Sequence, residues 1–288
     1  MSILVIGSGG REHAIISTLS HEAKLYTTHP GISTATHINC CDTDIDALCT
    51  AIQTHNIALV IIGPEASLAQ GSVDRFRDLG VAVVGPTQAA AQLETSKLFA
   101  KAFMKRHQIP TADYAVFETK SAAQAYLSTA SYPIVIKADG LAAGKGVFVV
   151  HTQAAADAAL ETLFTEKRFG DTPVVIESFL SGTEASLMAF IDNNTIIPLP
   201  YAQDYKRAYD ADAGPNTGGM GAISPPDSIT PAIDAYIKER IVYPTHRAIQ
   251  SEQLDYRGIL YIGLMIHANG TASVIEYNVR YGDPEAQA

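Results

Sequence analysis

Near the end of the chain, the segment Ala272-Ser273-Val274-Ile275-Glu276-Tyr277-Asn278-Val279-Arg280 sets a carboxylate, an amide and a guanidinium at every second position. The alternation of polar and apolar residues predicts a β-strand, and alternate side chains leave a strand on one face. Glu276, Asn278 and Arg280 therefore form one polar row. Carboxylate and amide oxygens suit a hard divalent cation. An arginine beside them suits a transferring phosphoryl group or an anionic substrate. A solvated strand face has the same appearance, so the meaning of the row depends on what the rest of the chain brings to it.

Two stretches upstream supply cations and glycine. Thr95-Ser96-Lys97 opens a helix that runs to about Arg106 and is ended by Ile109-Pro110. Pro133-Ile134-Val135-Ile136 reads as a buried strand that presents Lys137 at its end. The chain continues through Ala138-Asp139-Gly140 and Leu141-Ala142-Ala143-Gly144-Lys145-Gly146 into a second strand, Val147 to Val150. Strand, glycine-rich loop, strand excludes a P-loop, whose loop must lead into a helix. A hairpin loop of small residues can instead lie over a triphosphate and close on it. Glycine alone would serve an ordinary wide hairpin; the lysines framing the loop favour phosphate. Val174 to Leu180 forms the next strand and breaks at Ser181-Gly182, and Glu184 begins another, Ala185 to Ile191. Exposed backbone at such a strand end can read an adenine edge, and Glu184 can accept from ribose hydroxyls.

The first hundred residues position these groups. Ile3 to Ile6 is a short buried strand, Gly7-Ser8-Gly9-Gly10 a tight turn, and Arg11 to Ser20 a helix, which is how a doubly wound α/β unit opens. Glu12 stands where the dinucleotide fingerprint needs a third glycine, and no acidic residue ends a second strand near Tyr26, so NAD is not expected. Gly9 and Gly10 allow backbone N–H groups at the helix N-terminus to approach a phosphate, or serve only the turn. Ala58 to Ile62 and Val81 to Val84 are further buried strands, with helices over Ile45–His55 and Gly71–Leu79. Glu65 lies at the carboxyl edge of that sheet. It either touches a substrate hydroxyl or caps the next helix.

A chain of 288 residues has room for two or three compact units. An apolar fraction of 47% against 17% charged residues excludes a disordered chain. The net charge of −10 argues against nucleic-acid and membrane surfaces, while allowing a local basic pocket. No apolar run reaches membrane length, and the start, Met1-Ser2-Ile3-Leu4, enters a strand without a basic leader. Cys40, Cys41 and Cys49 lack spaced histidine partners, so reduced thiols in a cytoplasmic protein are expected rather than a zinc site.

Five segments together resemble the ATP-grasp superfamily and, within it, the glycinamide ribonucleotide synthetase (phosphoribosylamine–glycine ligase) family. They are Gly7-Ser8-Gly9-Gly10-Arg11-Glu12-His13, Ile62-Gly63-Pro64-Glu65, Ile136 through Val147, Gly214-Pro215-Asn216-Thr217-Gly218-Gly219-Met220-Gly221, and Glu276 through Glu285. The resemblance implies an N-terminal doubly wound parallel-sheet domain (residues 1–98) followed by an ATP-grasp fold of two α+β lobes. The central lobe is residues 99–120 plus 189–288, and the lid lobe residues 121–188. It implies that Lys97 and Lys137 meet the ATP phosphates and that Gly144-Lys145-Gly146 is the flap over them. The Glu177–Leu180 segment lines adenine, with main-chain groups of Ser178 and Leu180 reading its edge, and Glu184 takes the ribose. Glu276 and Asn278 hold Mg²⁺ or Mn²⁺, and Arg280 steadies the phosphoryl group or acyl phosphate. Gln203 to Arg207 and Gly214 to Gly221 match a substrate-side loop. There Asp204 is expected to hold the glycine ammonium and Lys206 or Arg207 an anion, beside Asn216, Gly218 and Gly219. Gly9 and Gly10 take the ribose 5-phosphate. The implied reaction joins glycine to 5-phosphoribosylamine through a glycyl phosphate, at the expense of ATP.

The chain departs from the family in carrying Ser178 for a second acidic residue and Ala286 and Ala288 for threonine and proline. The family continues into a C-terminal domain that closes the site. A chain stopping at Ala288 is therefore expected either to be shortened or to be completed by a partner chain. A nucleotide-binding subunit without turnover and another ATP-grasp ligase, such as a carboxylating one, are the competing readings; the Asp204 and Gly214 loops speak against the latter. One expectation needs no family. Ala268-Asn269-Gly270-Thr271 reads as a two-residue type I′ hairpin, whose register sets Gly263 opposite Glu276 and Tyr261 opposite Asn278. No neighbouring side chain then stands beside Glu276, leaving that space for metal and phosphate.

Overall fold

The computed structural model describes residues 1–142, 145–210, 213–217 and 219–288, and only the backbone of Arg207, Ala213, Pro215 and Asn216. The first unit alternates strand and helix. It comprises β1 (Ser2–Ile6), α1 (Gly10–Leu19), β2 (Lys24–Thr27), β3 (Thr36–His37), α2 (Ile45–Thr54), β4 (Leu59–Ile62), α3 (Glu65–Ala69), α4 (Ser72–Asp78) and β5 (Ala82–Pro86). These strands are parallel in the order β3-β2-β1-β4-β5. Alternate residues of β1 enter different cores. Ile3 and Val5 pack with Ile16 of α1, whereas Leu4 and Ile6 pack with Leu48 and Ile52 of α2. Helices therefore cover both faces, and the order reverses at β1, which puts the Gly7–Gly10 turn at the switch point where open sheets bind ligands.

Two helices, α5 (Gln88–Thr95) and α6 (Lys97–Arg106), lead into a separate four-stranded antiparallel sheet. Its elements are β6 (Tyr114–Phe117), α7 (Lys120–Leu127), β7 (Ile134–Ala138), β8 (Val147–Val150), α8 (Gln153–Leu160) with a π-helical turn at Glu161–Thr165, and β9 (Val174–Ser178), in the strand order β6-β9-β7-β8. β6 belongs to this sheet although residues 99–120 read as part of the central lobe. Ala123, Leu127, Ile136, Leu160 and Ile176 form its own core.

The chain then returns to the large sheet through β10 (Thr183–Ile191), β11 (Ile196–Asp204), the pair β12 (Arg207–Tyr209) and β13 (Ala213–Asn216), and β14 (Ala222–Ile223). The helices α9 (Pro231–Ile237) and α10 (Tyr243–Ser251), joined by a π-helical turn, precede the long β15 (Tyr256–Ile266) and β16 (Ala272–Asn278). β15 is central to this half. It pairs antiparallel with β10 and β16 along its length, and through Tyr256 and Arg257 with Pro86 and Gly85 of β5, which fuses both halves into one ten-stranded sheet. Among the described residues no helix is long and apolar enough to cross a membrane.

The β15–β16 register sets Gly263 opposite Glu276 and Tyr261 opposite Asn278, but not by the two-residue turn expected. Near the turn Ile266 pairs with Ala272, and His267 N donates to Thr271 O at 2.9 Å. The loop thus has three residues, ending on Gly270 at φ +81°, which is the three-residue hairpin with a left-handed last position. A bulge at Ile275 then takes up one residue, since Leu264 pairs with Val274 and Gly263 with Glu276.

The junction of the halves leaves no room at Gly258. A Cβ there would stand 2.8 Å from Gly85 N and 3.1 Å from Gly85 Cα, and backbone cannot rotate away. Gly258→Ala is expected to destabilise the chain by about 1–3 kcal/mol, as overpacking does, read as a lowered midpoint in urea denaturation. An unchanged midpoint would show that β5 and β15 are not tightly apposed.

Candidate active site

The site is assembled where α6, the end of β7 and β16 converge. Ser96 caps α6, its Oγ accepting from Phe99 N at 3.0 Å. Asp139, just beyond β7, accepts from Ser96 Oγ at 3.2 Å and from Leu98 N at 3.1 Å, so it sits on the N-terminal end of the same helix. This docking brings Lys97 to the β7–β8 loop, where its Nζ donates to Gly140 O at 2.9 Å. Burial pulls the Lys97 pKa below its ordinary value. Lys137 is buried and lies 2.9 Å from Glu177 Oε1.

Glu276 faces these lysines. Its carboxylate accepts no hydrogen bond from the described residues. Burial would raise its pKa, but Lys137, Lys206, Lys97 and Arg280 together outweigh burial and hold it below the usual carboxylate range. Opposite it, the atoms nearest to a Cβ on Gly263 would be the Glu276 side chain and backbone at 3.5 Å and the Tyr261 ring at 3.6 Å, ordinary contact distances. Two residues on, Asn278 is buried, and its Oδ1 accepts from Arg280 Nη2 at 3.1 Å. An anionic oxygen without a hydrogen-bonded partner, beside an oriented amide oxygen, fits a hard divalent cation that completes its shell with substrate oxygens. Among the described residues no group of three or more His, Cys, Asp or Glu could form an all-protein cage.

Arg280 is engaged more fully than a free anion-binding arginine. Its Nη2 is 3.1 Å from Glu94 Oε1, and its Nη1 donates to Tyr281 O at 3.1 Å. Its Nε lies 3.5 Å from Glu65 Oε2 but off the hydrogen-bonding direction. Burial would lower its pKa, yet Glu94, Glu65 and Glu276 keep it charged. Glu65 makes no capping bond to α3; it faces Arg280 instead. Glu94 also accepts from Val279 N at 2.7 Å, and so braces the end of the polar row from α5.

A narrow cleft of about 20 Å³ runs from Glu276 past Gly263, Ser186 and Tyr261 to Glu184, Asp204 and Lys206. Lys206 Nζ stands 3.8 Å from Glu184 and 4.0 Å from Asp204. Burial would lower the Lys206 pKa, but Glu184, Glu276, Asp204 and Glu285 raise it above its ordinary value. The Asp204 side chain is 4% exposed, and its Oδ1 has no hydrogen-bond partner. Gly219 lies against it, since a Cβ there would meet Asp204 Oδ1 at 3.2 Å. A wider hollow of about 570 Å³ lies among Thr43, Asp46, Asp74, Arg75 and Gln88. It holds none of these groups, and its Arg75–Asp46 pair is solvent-exposed.

The remaining expected residues sit as follows. Lys145 is exposed and Gly146 buried in the hairpin loop; Gly144 and Gly218 lie outside the described residues. Arg207 and Asn216 pair across β12 and β13. The Glu177 side chain points inward to two lysines rather than along the strand end. Ser178 N already donates to Asp113 O at 2.9 Å, while Leu180 makes no hydrogen bond among the described residues. The helix N-terminus at Gly9 and Gly10 already carries a carboxylate, because Asp283 Oδ2 accepts from Arg11 N at 3.4 Å. Glu12 fills the space left by Gly7 and Gly63, and its carboxylate accepts from Gly9 N at 2.7 Å. Four residues were missed from sequence: Glu94, Lys101, Asp139 and Glu285. Lys101 had a signal, one helical turn after Lys97 on the same face. Glu285 accepts from Ser186 Oγ at 2.8 Å and Tyr261 OH at 2.9 Å beneath the cleft.

Burial, with Glu285, Glu184 and Asp283 nearby, pushes the Asp204 pKa from 3.8 up to about 6, against the pull of Lys206. A carboxyl raised on folding stabilises the fold below its unfolded value and loses that contribution as pH rises through its folded value. At about 1.4 kcal/mol per pH unit, and discounted for solvent at the cleft mouth, Asp204→Asn should gain about 1–2 kcal/mol over the parent above pH ~6. The gain should vanish near pH ~4. Urea denaturation across this range checks it; a difference independent of pH would contradict the shift.

Comparison with known proteins places the chain in a family. Residues 1–94 match the phosphoribosylglycinamide synthetase N domain, and residues 95–286 the phosphoribosylglycinamide synthetase ATP-grasp (A) domain. The chain is 46% identical over 297 aligned residues to a phosphoribosylamine–glycine ligase of Yersinia pestis and 48% identical to one of Vibrio parahaemolyticus. Each match spans all of this chain and 69% of the relative. The crystal structure of phosphoribosylamine–glycine ligase from Thermotoga maritima superposes with a TM-score of 0.87 at 35% identity, covering all of this chain and 71% of that one. The doubly wound domain followed by an ATP-grasp fold is therefore as the motifs implied, and the chain belongs to the phosphoribosylglycinamide synthetase family.

Proposed function

We propose that the chain ligates glycine to 5-phosphoribosylamine, with ATP as the phosphoryl donor, in purine biosynthesis. The observation that carries this reading is the convergence of Lys97, Lys137 and Lys206 on the Glu276 carboxylate, in a protein whose net charge is −10. A carboxylate approaching a triphosphate is repelled, and a local cluster of cations offsets that repulsion in the transition state.

In this reading the ATP phosphates lie against Lys97 and Lys137, with the Lys145–Gly146 hairpin above them. Adenine lies along Ser178–Leu180, where the free main-chain groups of Leu180 favour edge recognition. Glu184 takes the ribose. Glu276 and Asn278 hold Mg²⁺ or Mn²⁺, which shields the phosphate charge when bound, and Arg280 fixes the Asn278 oxygen. Asp204 takes the glycine ammonium, and Lys206 draws in its carboxylate. That carboxylate attacks the γ-phosphorus, the bond to the β-bridging oxygen breaks, and ADP leaves. The amine of phosphoribosylamine then attacks the carbonyl carbon of glycyl phosphate. Phosphate leaves, and the amine loses one proton. A ribose 5-phosphate bound at Gly9 and Gly10 displaces the Asp283 carboxylate from the α1 N-terminus, since that carboxylate lies over both glycines.

Release of phosphate from ATP with Mg²⁺ is expected to require both glycine and freshly prepared phosphoribosylamine. ATP binding without any glycine-dependent release would overturn the ligase reading for this chain.

A further inference from the structure

Behind the phosphate-facing lysine lies a buried row of three charges. Lys101 Nζ is 2.9 Å from Glu177 Oε2, and Lys137 Nζ is 2.9 Å from Glu177 Oε1. The three side chains are 3%, 5% and 6% exposed for Lys101, Glu177 and Lys137. Lys101 also donates to Thr111 Oγ1 at 2.8 Å, and that hydroxyl donates to Val274 O at 2.7 Å. It therefore ties α6 to β9 of the small sheet and to β16, the strand that carries Glu276.

The charge count gives this row a purpose. Lys137 and Glu177 alone would make a neutral pair, whose field falls off quickly and attracts a phosphate poorly. Lys101 on the second oxygen leaves one net positive charge in a dry environment, where charges act over longer distances than in water. It also occupies Oε2, which leaves Oε1 as the oxygen that faces Lys137. A second buried lysine would be costly as a purely structural element, since apolar residues fill such places more cheaply.

We infer that Lys101 is a positioning residue for the nucleotide: by engaging Glu177 it leaves Lys137 with an uncompensated charge for the triphosphate. The inference rests on the assignment of Lys137 to ATP. Its prediction is selective, because the charge acts on the phosphates and not on the uncharged nucleoside.

The test is calorimetric titration of the full chain with ATP plus Mg²⁺, and separately with adenosine. Lys101→Met should weaken ATP binding by at least roughly tenfold and leave adenosine binding within about twofold. Lys101→Arg, which keeps the charge, should stay within about threefold of the parent for ATP. The double variant Lys101→Met/Glu177→Gln should recover ATP affinity over Lys101→Met, because Lys137 is again uncompensated. If Lys101→Met does not fold by itself, the double variant is read against the parent, whose ATP affinity it should match within about threefold. Equal losses for ATP and adenosine, a double variant weaker than the single one, or an arginine variant as weak as the methionine one would each overturn the inference. A parent chain that binds no ATP would overturn the nucleotide assignment as well, whereas a parent that binds ATP beside an unaffected Lys101→Met overturns the positioning role alone.

Discussion

The site depends on one pairing, Glu276 against Gly263. In a regular strand Val274 and Glu276 would share a face, and Val274 faces the core at 0% exposure. The bulge at Ile275 breaks that phase. Beyond it Tyr277 takes the core side, opposite Ile262, and Glu276 and Asn278 turn to the cleft with Gly263 and Tyr261. A one-residue slip would bury both site residues against Ile262 and Leu264. Tyr277 holds the register on the other side, being buried with its hydroxyl 2.7 Å from Thr245 Oγ1. Glycine opposite Glu276 then matters for what it lacks, because any larger residue on β15 would enter the cleft.

Around that pairing the protein concentrates charge that its surface does not have. The lysines at 97, 101, 137 and 206 come from a helix, the same helix one turn on, a strand of the small sheet and a loop after β11. Lys97 is held by the Gly140 carbonyl, Lys101 and Lys137 share the two oxygens of Glu177, and Lys206 stands near Glu184, while the Glu276 side chain is left without a hydrogen-bonded partner among the described residues. Arg280, by contrast, is already paired with Glu94 and oriented on Asn278. It acts more as the brace of an oxygen ligand than as an open anion receptor.

Much of this was legible in the sequence, because the signals were local. The glycine turn before α1, the buried strand leading to Glu65, the buried strand that carries Lys137, and the strand–loop–strand around Gly146 all depend on near neighbours. The β15–β16 pairing was anticipated correctly at Glu276 through a wrong turn, since a loop one residue longer and a bulge cancel. The bulge itself left a trace: apolar residues at 272 and 274 resume at 277 and 279, out of phase. What the sequence could not display were contacts between distant segments. Asp283 covering Gly9 and Gly10, Glu94 bracing Arg280 and Lys101 reaching Glu177 all join parts of the chain far apart in order. Each is visible only once the chain has folded.

The central claim is that Glu276 completes, with substrate oxygens, a site for a divalent cation beside the phosphate-binding lysines. Titration of ATP into the parent and into Glu276→Gln, each with and without Mg²⁺ at constant ionic strength, tests it most directly. Mg²⁺ is predicted to strengthen ATP binding to the parent by at least roughly tenfold and to change binding to Glu276→Gln little. The same Mg²⁺ enhancement in both proteins would contradict it.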